Sequence, residues 1–453
     1  MSDFNLNHQP KPLSLAKNHQ PLKGEVTVPG DKSISHRALI FSCLGHGKSK
    51  ISGLLEGEDV LKTAKALTKM GAQISKSDDG AWQVNGLGIA GLMEPDDVLD
   101  MGNSGTSSRL LAGLVAPYNF TSFFTGDESL RKRPMQRVFE PIKMIGAEII
   151  ARQNNFMPFA IIGAKHPLPI NYVMKMASAQ VKSAILLASL TINGRSSIIE
   201  PEKCRNHTEI MMNYLGLKPI VEDLEVAGKI GTKISYHGMQ EFDAKDFSVP
   251  GDISSAAFLI VAATIIKDSK IKINNVGLNN LRDGIVTTLI EMGANIAIAN
   301  NRIVAGERVA DIIVEHSKLK AVEVLASRAP VMIDEYPILA IAASFADGIT
   351  KMNGLAELKV KESNRLLMIA NNLKNCGVEV KMGDDYLEIE GGFKQPQKKV
   401  DIITNLDHRI AMSFLVMGMN LEKGVEIDDS SMIDTSFPGF VKIFEKLGVD
   451  FSS

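Results

Sequence analysis

Val28-Pro29-Gly30-Asp31-Lys32-Ser33-Ile34-Ser35-His36-Arg37 returns in outline at Val249-Pro250-Gly251-Asp252-Ile253-Ser254-Ser255, and this recurrence decides the fold. Both copies carry Val-Pro-Gly-Asp followed by two serines. Pro-Gly is a turn signal, and the Asp and Ser side-chain oxygens suit a helix start because they accept bonds from otherwise unpaired N–H groups. The apolar run Ala38-Leu39-Ile40-Phe41 is the helix itself. Lys32, Ser33 and Arg37 are therefore expected on a first helical turn, where free donors and partial positive charge favour an anion. Taken alone, the stretch reads as readily as a capped helix with solvated charges.

Outward from these copies, two series interleave. In the first, a helical pattern closes in an apolar residue and a glycine, at Gly71, Gly146, Gly216, Gly293, Gly377 and Gly448. Glycine just past a helix end takes a positive φ without steric cost. The preceding helices are amphipathic: Val60, Ala64, Leu67 and Met70 share one face, as do Val138, Ile142 and Ile145. In the second series a polar loop opens an apolar helix, at 29–33, 102–106, 177–180, 250–254, 333–336 and 406–409. Such regularity signals a repeat architecture. With β-like runs such as 147–151 and 295–299, each repeat holds two helices and short strands. The expected fold is α/β: two domains, each of three repeated βαβαββ-like units. The second Val-Pro-Gly-Asp sets the boundary, giving 32–247 and 248–453, with 1–31 associated with the latter.

Composition narrows the function. Of 453 residues, 45% are hydrophobic and 23% charged, as in soluble globular proteins. A net charge of −2 supplies no general basic surface, which argues against nucleic acid as a partner. Cys43, Cys204 and Cys376 lie far apart and form no CxxC, which fits a reducing compartment and opposes a thiolate zinc site. The first 20 residues show neither a secretion signal nor a transit pattern, and no apolar run is long enough to span a bilayer. A cytoplasmic protein is expected. If the six loop-to-helix starts face one cleft, their partial charges add, and that cleft attracts anions despite the overall balance.

Several loops carry groups capable of chemistry. Asn103-Ser104-Gly105-Thr106-Ser107-Ser108-Arg109 offers small residues and hydroxyls that cradle a ligand, but it is no nucleotide P-loop. Pro134 suits a first helical position, which puts Arg133 at a helix start. Ser178-Ala179-Gln180 opens a helix that also carries Lys182, and Arg205 lies in a loop. Asp334 and Glu335 precede an apolar helix and are caps or buried functional carboxylates. On a helix starting near Glu362, Lys361 and Arg365 fall four apart on one face, where like charges repel unless an anion lies between them. Asp407-His408-Arg409 opens another apolar helix, without metal-ligand or catalytic-triad spacing.

Pro29-Gly30-Asp31-Lys32-Ser33-Ile34-Ser35-His36-Arg37, Gly102-Asn103-Ser104-Gly105-Thr106, Lys132-Arg133-Pro134, Ser178-Ala179-Gln180, Ile333-Asp334, Lys361-Glu362-Ser363-Asn364-Arg365 and Asp407-His408-Arg409 together resemble the 5-enolpyruvylshikimate-3-phosphate synthases, from about Gly24 to Leu447. Pro-Gly-Asp-Lys-Ser and Ser-Ala-Gln resemble the second class of that family. The resemblance implies six βαβαββ-like units in two domains, an active site in the cleft between them, closure on binding, no metal or organic cofactor, and a monomer. The implied reaction transfers the enolpyruvyl group of phosphoenolpyruvate to the 5-hydroxyl of shikimate 3-phosphate through a tetrahedral intermediate, toward chorismate and the aromatic amino acids.

By the same resemblance, Lys32 touches both substrates. Ser33 and Arg37 hold the shikimate part, and Ser178, Gln180, Arg205 and Lys361 help hold its phosphate and ring. Arg133, Arg365 and Arg409 bind phosphoenolpyruvate, with the Gly105 backbone and Gln180 beside it. Asp334 accepts the 5-hydroxyl proton and Glu362 protonates the methylene carbon. The herbicide glyphosate occupies that family's phosphoenolpyruvate pocket, and tolerant relatives often carry Ala where Gly105 stands. This sequence departs from many first-class members at Thr435, where they place Lys, and at Ala179, where they place Ser. One phosphate contact and one phosphoenolpyruvate contact must then come from elsewhere, and Arg205 is the candidate for the first. The related enolpyruvyl transferases acting on a UDP-sugar have Lys-Asn where Lys32-Ser33 stands, and a reactive Cys in a mobile loop. A non-catalytic anion-binding protein is opposed by the intact Asp334 and Glu362.

Overall fold

The computed structural model describes residues 9–18, 20–226 and 228–451. Among these the α-helices are α1 (Lys32–Leu44), α2 (Glu58–Lys69), α3 (Gly105–Val115), α4 (Gln136–Ile145), α5 (Ala179–Ser189), α6 (His207–Leu215), α7 (Ile253–Ile265), α8 (Gly284–Glu291), α9 (Ala329–Met332), α10 (Tyr336–Ser344), α11 (Arg365–Asn375), α12 (His408–Gly418) and α13 (Phe440–Lys446). None is long and apolar enough to cross a membrane.

Both series read from the sequence have physical counterparts. The six closing glycines all adopt left-handed backbone, with φ between 84° at Gly377 and 109° at Gly146. The six polar loops open α1, α3, α5, α7, α10 and α12. Five of these helices are capped by the side chain before them: Asp31 accepts from Ile34 N, Ser104 from Ser107 N, Ser178 from Val181 N, Asp252 from Ser254 N and Asp407 from Arg409 N. Glu335, before α10, makes no such bond.

Among the described residues six small sheets accompany the helices, five of four strands and one of three. Strands Leu99–Asp100, Thr121–Thr125, Glu148–Arg152 and Phe156–Ile162 show the pattern, with α3 and α4 between them. The first two strands are parallel (Leu99 opposite Phe124). The rest are antiparallel, with Thr121 and Glu148 both opposite Ile162. Strands Asn171–Val173, Arg195–Glu200, Ile220–Val226 and Lys229–His237, with α5 and α6, repeat this βαβαββ order.

Backbone contacts divide the chain into two compact units. The first holds Pro29–Pro250 and Arg302–Val309; the second holds the residues up to Val28, Gly251–Asn301 and those from Ala310 onward. The chain changes unit at both copies of Val-Pro-Gly-Asp. Strand Lys23–Thr27 lies parallel to Lys270–Gly277 in the second unit, and the chain then enters α1 of the first. Strand Phe247–Ser248 pairs with Lys48–Ser52 in the first unit, and the chain then enters α7 of the second. The second unit thus takes the strand Lys23–Thr27 from outside its main run, whereas Phe247–Ser248 is the last strand of the first unit's own run. The segment 302–309, expected with 248–453, groups instead with 29–250. It is a hairpin tip whose Gly306 packs on Ile210 and whose Glu307 pairs with His207 at 2.6 Å.

Each unit has its own hydrophobic core. The helices opened by polar loops lie inside it. From Ile34 to Leu44 every residue of α1 is buried, and α10 is buried from end to end. Close approach of α3 to α5 requires Gly113, where a Cβ would stand 2.3 Å from Ala184 O. Backbone cannot yield as a side-chain tip does. Gly113→Ala is therefore expected to cost about 1–3 kcal/mol through overpacking and to lower Tm in a thermal melt; an unchanged Tm would mean that this crossing has slack.

Candidate active site

In the first unit the N-terminal ends of α1, α3 and α5 adjoin, and their side chains interlock. Arg37 of α1 donates from Nη2 to Ser183 Oγ of α5 at 2.6 Å, from Nε to Thr208 Oγ1 at 2.8 Å and from Nη1 to Ser33 O at 2.8 Å. Burial pushes the Arg37 guanidinium down to about 10, which leaves it charged at neutral pH. Gln180 of α5 donates to Thr106 Oγ1 at 3.1 Å and accepts from Arg109 Nη1 at 2.9 Å, both on α3. Lys32 pairs with Asp59 in the first turn of α2.

Gly105 begins α3 beneath two guanidinium groups: a Cβ there would stand 2.7 Å from Arg109 Nη1 and 3.3 Å from Arg133 Nη1. Arg133 Nη2 is steered by Asn103 Oδ1 at 2.7 Å and Ser129 Oγ at 3.1 Å. Cations thus surround three helix N-termini, an arrangement that holds anions.

The second unit repeats the idea with carboxylates added. Arg365, only 1% exposed, directs Nε to Asp407 Oδ2 at 2.8 Å, Nη1 to Asp334 Oδ1 at 3.3 Å and Nη2 to Glu362 Oε2 at 2.5 Å. One guanidinium therefore holds both candidate proton-transfer carboxylates. Burial works against the charge of Arg365, but Asp407, Glu362 and Asp334 more than offset it and raise the pKa. For Asp407, burial works against the carboxylate and Arg365 overrides it, holding the group below its ordinary range. Lys361 Nζ lies 3.4 Å from Asp334 Oδ1, and Arg409 Nη1 donates to Asp334 O at 3.1 Å. The ends of α10, α11 and α12 thereby meet around Asp334.

His408, next to Asp407, is pushed down to about 3 by burial and is neutral in the folded protein. The unfolded chain binds this proton near the ordinary value of 6.5. Stability from this group is therefore full above 6.5 and is lost as pH falls toward 3. His408→Gln is expected to flatten the fall of Tm across that window. An unaltered acid limb in melts of the two proteins would exclude His408 as its source.

The structure departs from the sequence reading at two helix starts. The helix begins at Arg365, after cap Asn364, and Lys361 closes a 3-10 turn at Ala356–Val360. Lys361 and Arg365 therefore do not share a helix face; both reach Asp334 from different backbone geometries. Helix α4 begins at Gln136, so Pro134 is not its first residue, and Arg133 instead ends the turn Leu130–Lys132. Ser33, Ser178, Gln180 and Gly105 stand at helix N-termini as expected, and Arg205 lies in the loop before α6. Thr435 ends a short turn and donates to Met432 O at 2.6 Å.

Arg109, Asp59 and Asp407 stand among the candidates but were assigned no role from sequence. For Arg109 and Asp407 the signal was present, since each belongs to a motif already singled out. Asp59 carries no signal at all. Among the described residues, no three His, Cys, Asp or Glu side chains cluster as metal ligands would. The cations at the helix starts of the first unit suit anions, and the cation-held carboxylates of the second suit proton transfer.

The family model described as EPSP synthase (3-phosphoshikimate 1-carboxyvinyltransferase) matches residues 16–444. A 3-phosphoshikimate 1-carboxyvinyltransferase of Paramagnetospirillum magneticum is 51% identical over 442 residues, covering 98% of each chain. Its counterpart in Rhodospirillum rubrum is 49% identical over 448 residues, again covering 98% of each. The solved EPSP synthase of Acinetobacter baumannii superimposes with a TM-score of 0.85 at 39% identity, over 97% of this chain and 98% of that one.

Proposed function

From its membership of the EPSP synthase family, to which this chain belongs, we infer that it transfers the enolpyruvyl group of phosphoenolpyruvate to the 5-hydroxyl of shikimate 3-phosphate and releases phosphate. It is a 3-phosphoshikimate 1-carboxyvinyltransferase of the shikimate pathway. The residue roles follow as proposals. The first unit binds both anions: Lys32 touches both substrates, Ser33, Arg37, Ser178, Gln180 and Arg205 hold shikimate 3-phosphate, and Gly105, Arg133 and Gln180 hold phosphoenolpyruvate. The second unit supplies proton transfer through Asp334 and Glu362, with Lys361 for the shikimate part and Arg365 and Arg409 for phosphoenolpyruvate.

Chemistry explains the residue types. Two polyanions repel each other, and fixed guanidinium forks and ammoniums offset that repulsion. A hydroxyl is a weak nucleophile until a base takes its proton, and the enol carbon becomes electrophilic only as it gains one. Addition then gives a tetrahedral intermediate, and loss of phosphate leaves the enolpyruvyl ether. The three cysteines are free and buried, in keeping with a cytoplasmic setting.

The observation that carries the division of labour is that one guanidinium, Arg365, holds both carboxylates in the second unit, while the first unit gathers cations at three helix starts. Phosphate release from phosphoenolpyruvate should depend on shikimate 3-phosphate. Release without it, or with a UDP-sugar in its place, would overturn the substrate assignment.

Gly105→Ala tests the phosphoenolpyruvate side. The added methyl would press on Arg109 Nη1, the tip of a flexible side chain, so the fold should persist. The displaced guanidinium would then disturb Gln180, its partner at 2.9 Å. A methyl here should obstruct glyphosate more than the shorter phosphoenolpyruvate, on a scale of about 1–3 kcal/mol. We expect the inhibitor's Ki to rise by a larger factor than the substrate's KM. Equal shifts in the two constants would remove Gly105 from control of that discrimination.

A further inference from the structure

Lys182 lies one turn beyond Ser178 on α5, and its side chain is fully buried. Its ammonium stands 3.0 Å from Glu200 Oε2 and 2.7 Å from Glu209 Oε1, and donates to the backbone carbonyl of Cys204 at 3.1 Å. An ammonium has three donors, and here each meets an acceptor from a different element. Glu200 ends the strand Arg195–Glu200, Cys204 lies in the loop before α6, and Glu209 is in the first turn of α6. The Cys204 thiol donates in turn to Glu200 Oε2 at 3.0 Å. Burial works against the charge of Lys182, yet the carboxylates of Glu209 and Glu200 outweigh it and hold the ammonium above its ordinary value.

A buried ion cluster is an inefficient source of stability, since apolar residues of similar volume often serve as well or better. What an apolar side chain cannot do is hold a backbone carbonyl at a fixed point. The residue after that carbonyl is Arg205. The opposite side of the cluster is continuous with Arg37, because Thr208, next to Glu209, accepts from Arg37 Nε at 2.8 Å.

We propose that Lys182 is a positioning residue for the phosphate of shikimate 3-phosphate: through the Cys204 carbonyl it fixes the 201–206 loop, and with it the guanidinium of Arg205. The inference rests on the assignment of Arg205 to that phosphate. Lys182 touches no substrate. It acts on binding of the phosphorylated ligand and leaves proton transfer to others.

Dissociation constants for shikimate 3-phosphate and for unphosphorylated shikimate, measured on the full chain, separate this role from a purely structural one. Lys182→Met should weaken shikimate 3-phosphate on the order of 10- to 100-fold, the scale of a misplaced contact. Shikimate affinity and the KM for phosphoenolpyruvate should barely move. Equal weakening of both shikimate ligands would overturn the proposal.

The triple variant Lys182→Met/Glu200→Gln/Glu209→Gln removes the ammonium together with both carboxylates that face it, so it should recover part of the Tm lost in the single variant, with Arg37 still held by Ser183 and Thr208. It should keep the phosphate-specific loss, because nothing holds the Cys204 carbonyl. It also carries the test if the single variant does not fold. Full recovery of shikimate 3-phosphate affinity in the triple variant would reduce Lys182 to a counter-ion and refute the proposal. Arg205→Met serves as the separate control. If it leaves the ratio of the two affinities unchanged, the phosphate assignment of Arg205 fails, whatever Lys182 does.

Discussion

Asp334→Asn is expected to lower kcat by roughly 10²–10⁴-fold while shikimate 3-phosphate affinity stays near that of the parent, and Glu362→Gln should do the same. The amides are chosen for a structural reason. Arg365 is buried and holds Asp334, Glu362 and Asp407 at once. Truncating a carboxylate to Ala would leave that guanidinium short of a partner, and breaking a buried pair costs about 3–5 kcal/mol. An amide oxygen still accepts from Arg365 but neither takes nor gives the proton. A fall in kcat with unchanged Tm would then report chemistry rather than unfolding. If only KM rises, these side chains bind or cap and the proton-transfer roles are lost.

The arrangement also gives a reason for two acids to work as a pair. Both accept from the same cation, so loss of a proton from one alters the field that Arg365 presents to the other. In the proposed reaction one group takes a proton and one gives it, and a shared guanidinium would couple the two. Asp407 anchors this cation from behind, at 2.8 Å. Asp407→Asn should therefore depress kcat less than substitution at Asp334 or Glu362, because it acts through Arg365.

What the sequence made legible follows from what local physics controls. The closing glycines were readable because a helix end needs one residue with positive φ, and all six supply it. The capped loops were readable because Asp, Ser and Asn side chains satisfy helix N–H groups in any context. Helix starts failed where a turn intervened. Arg133 and Lys361 both follow 3-10 turns that shift the helix by a few residues, and nothing in local propensity distinguishes those turns. Partners from afar were invisible for a different reason. Asp59 for Lys32, Thr208 for Arg37 and Cys204 for Lys182 are tertiary contacts, and no spacing rule brings them together. The doubled Val-Pro-Gly-Asp pointed to a repeated half and to a boundary at each copy, but not to the pairing of Lys23–Thr27 with Lys270–Gly277, because strand pairing across the sequence is a tertiary property.

Lys32→Met should reduce turnover by on the order of 10³-fold, the scale of removing a fixed charge stabiliser from a reacting centre. The effect on stability should be small, and the structure explains why. Lys32 occupies the first turn of α1, where Asp31 already caps the helix by accepting from Ile34 N at 2.8 Å. Methionine retains the stem and its packing. The partner that loses its cation is Asp59, which lies in the first turn of α2 beside Glu58. A carboxylate at a helix N-terminus is stabilised by the helix itself by about 0.3–1 kcal/mol, so Asp59 is not left without compensation. The lost positive charge matters far more to two incoming polyanions than to the fold. Both substrates should bind less tightly, and kcat should fall further than either affinity, because charge builds up as the tetrahedral intermediate forms. Steady-state kinetics in both substrates, with a thermal melt of the same preparation, decide the matter. Near-parental turnover in Lys32→Met would remove Lys32 from the site, and a large fall in Tm would make its pairing with Asp59 the main role.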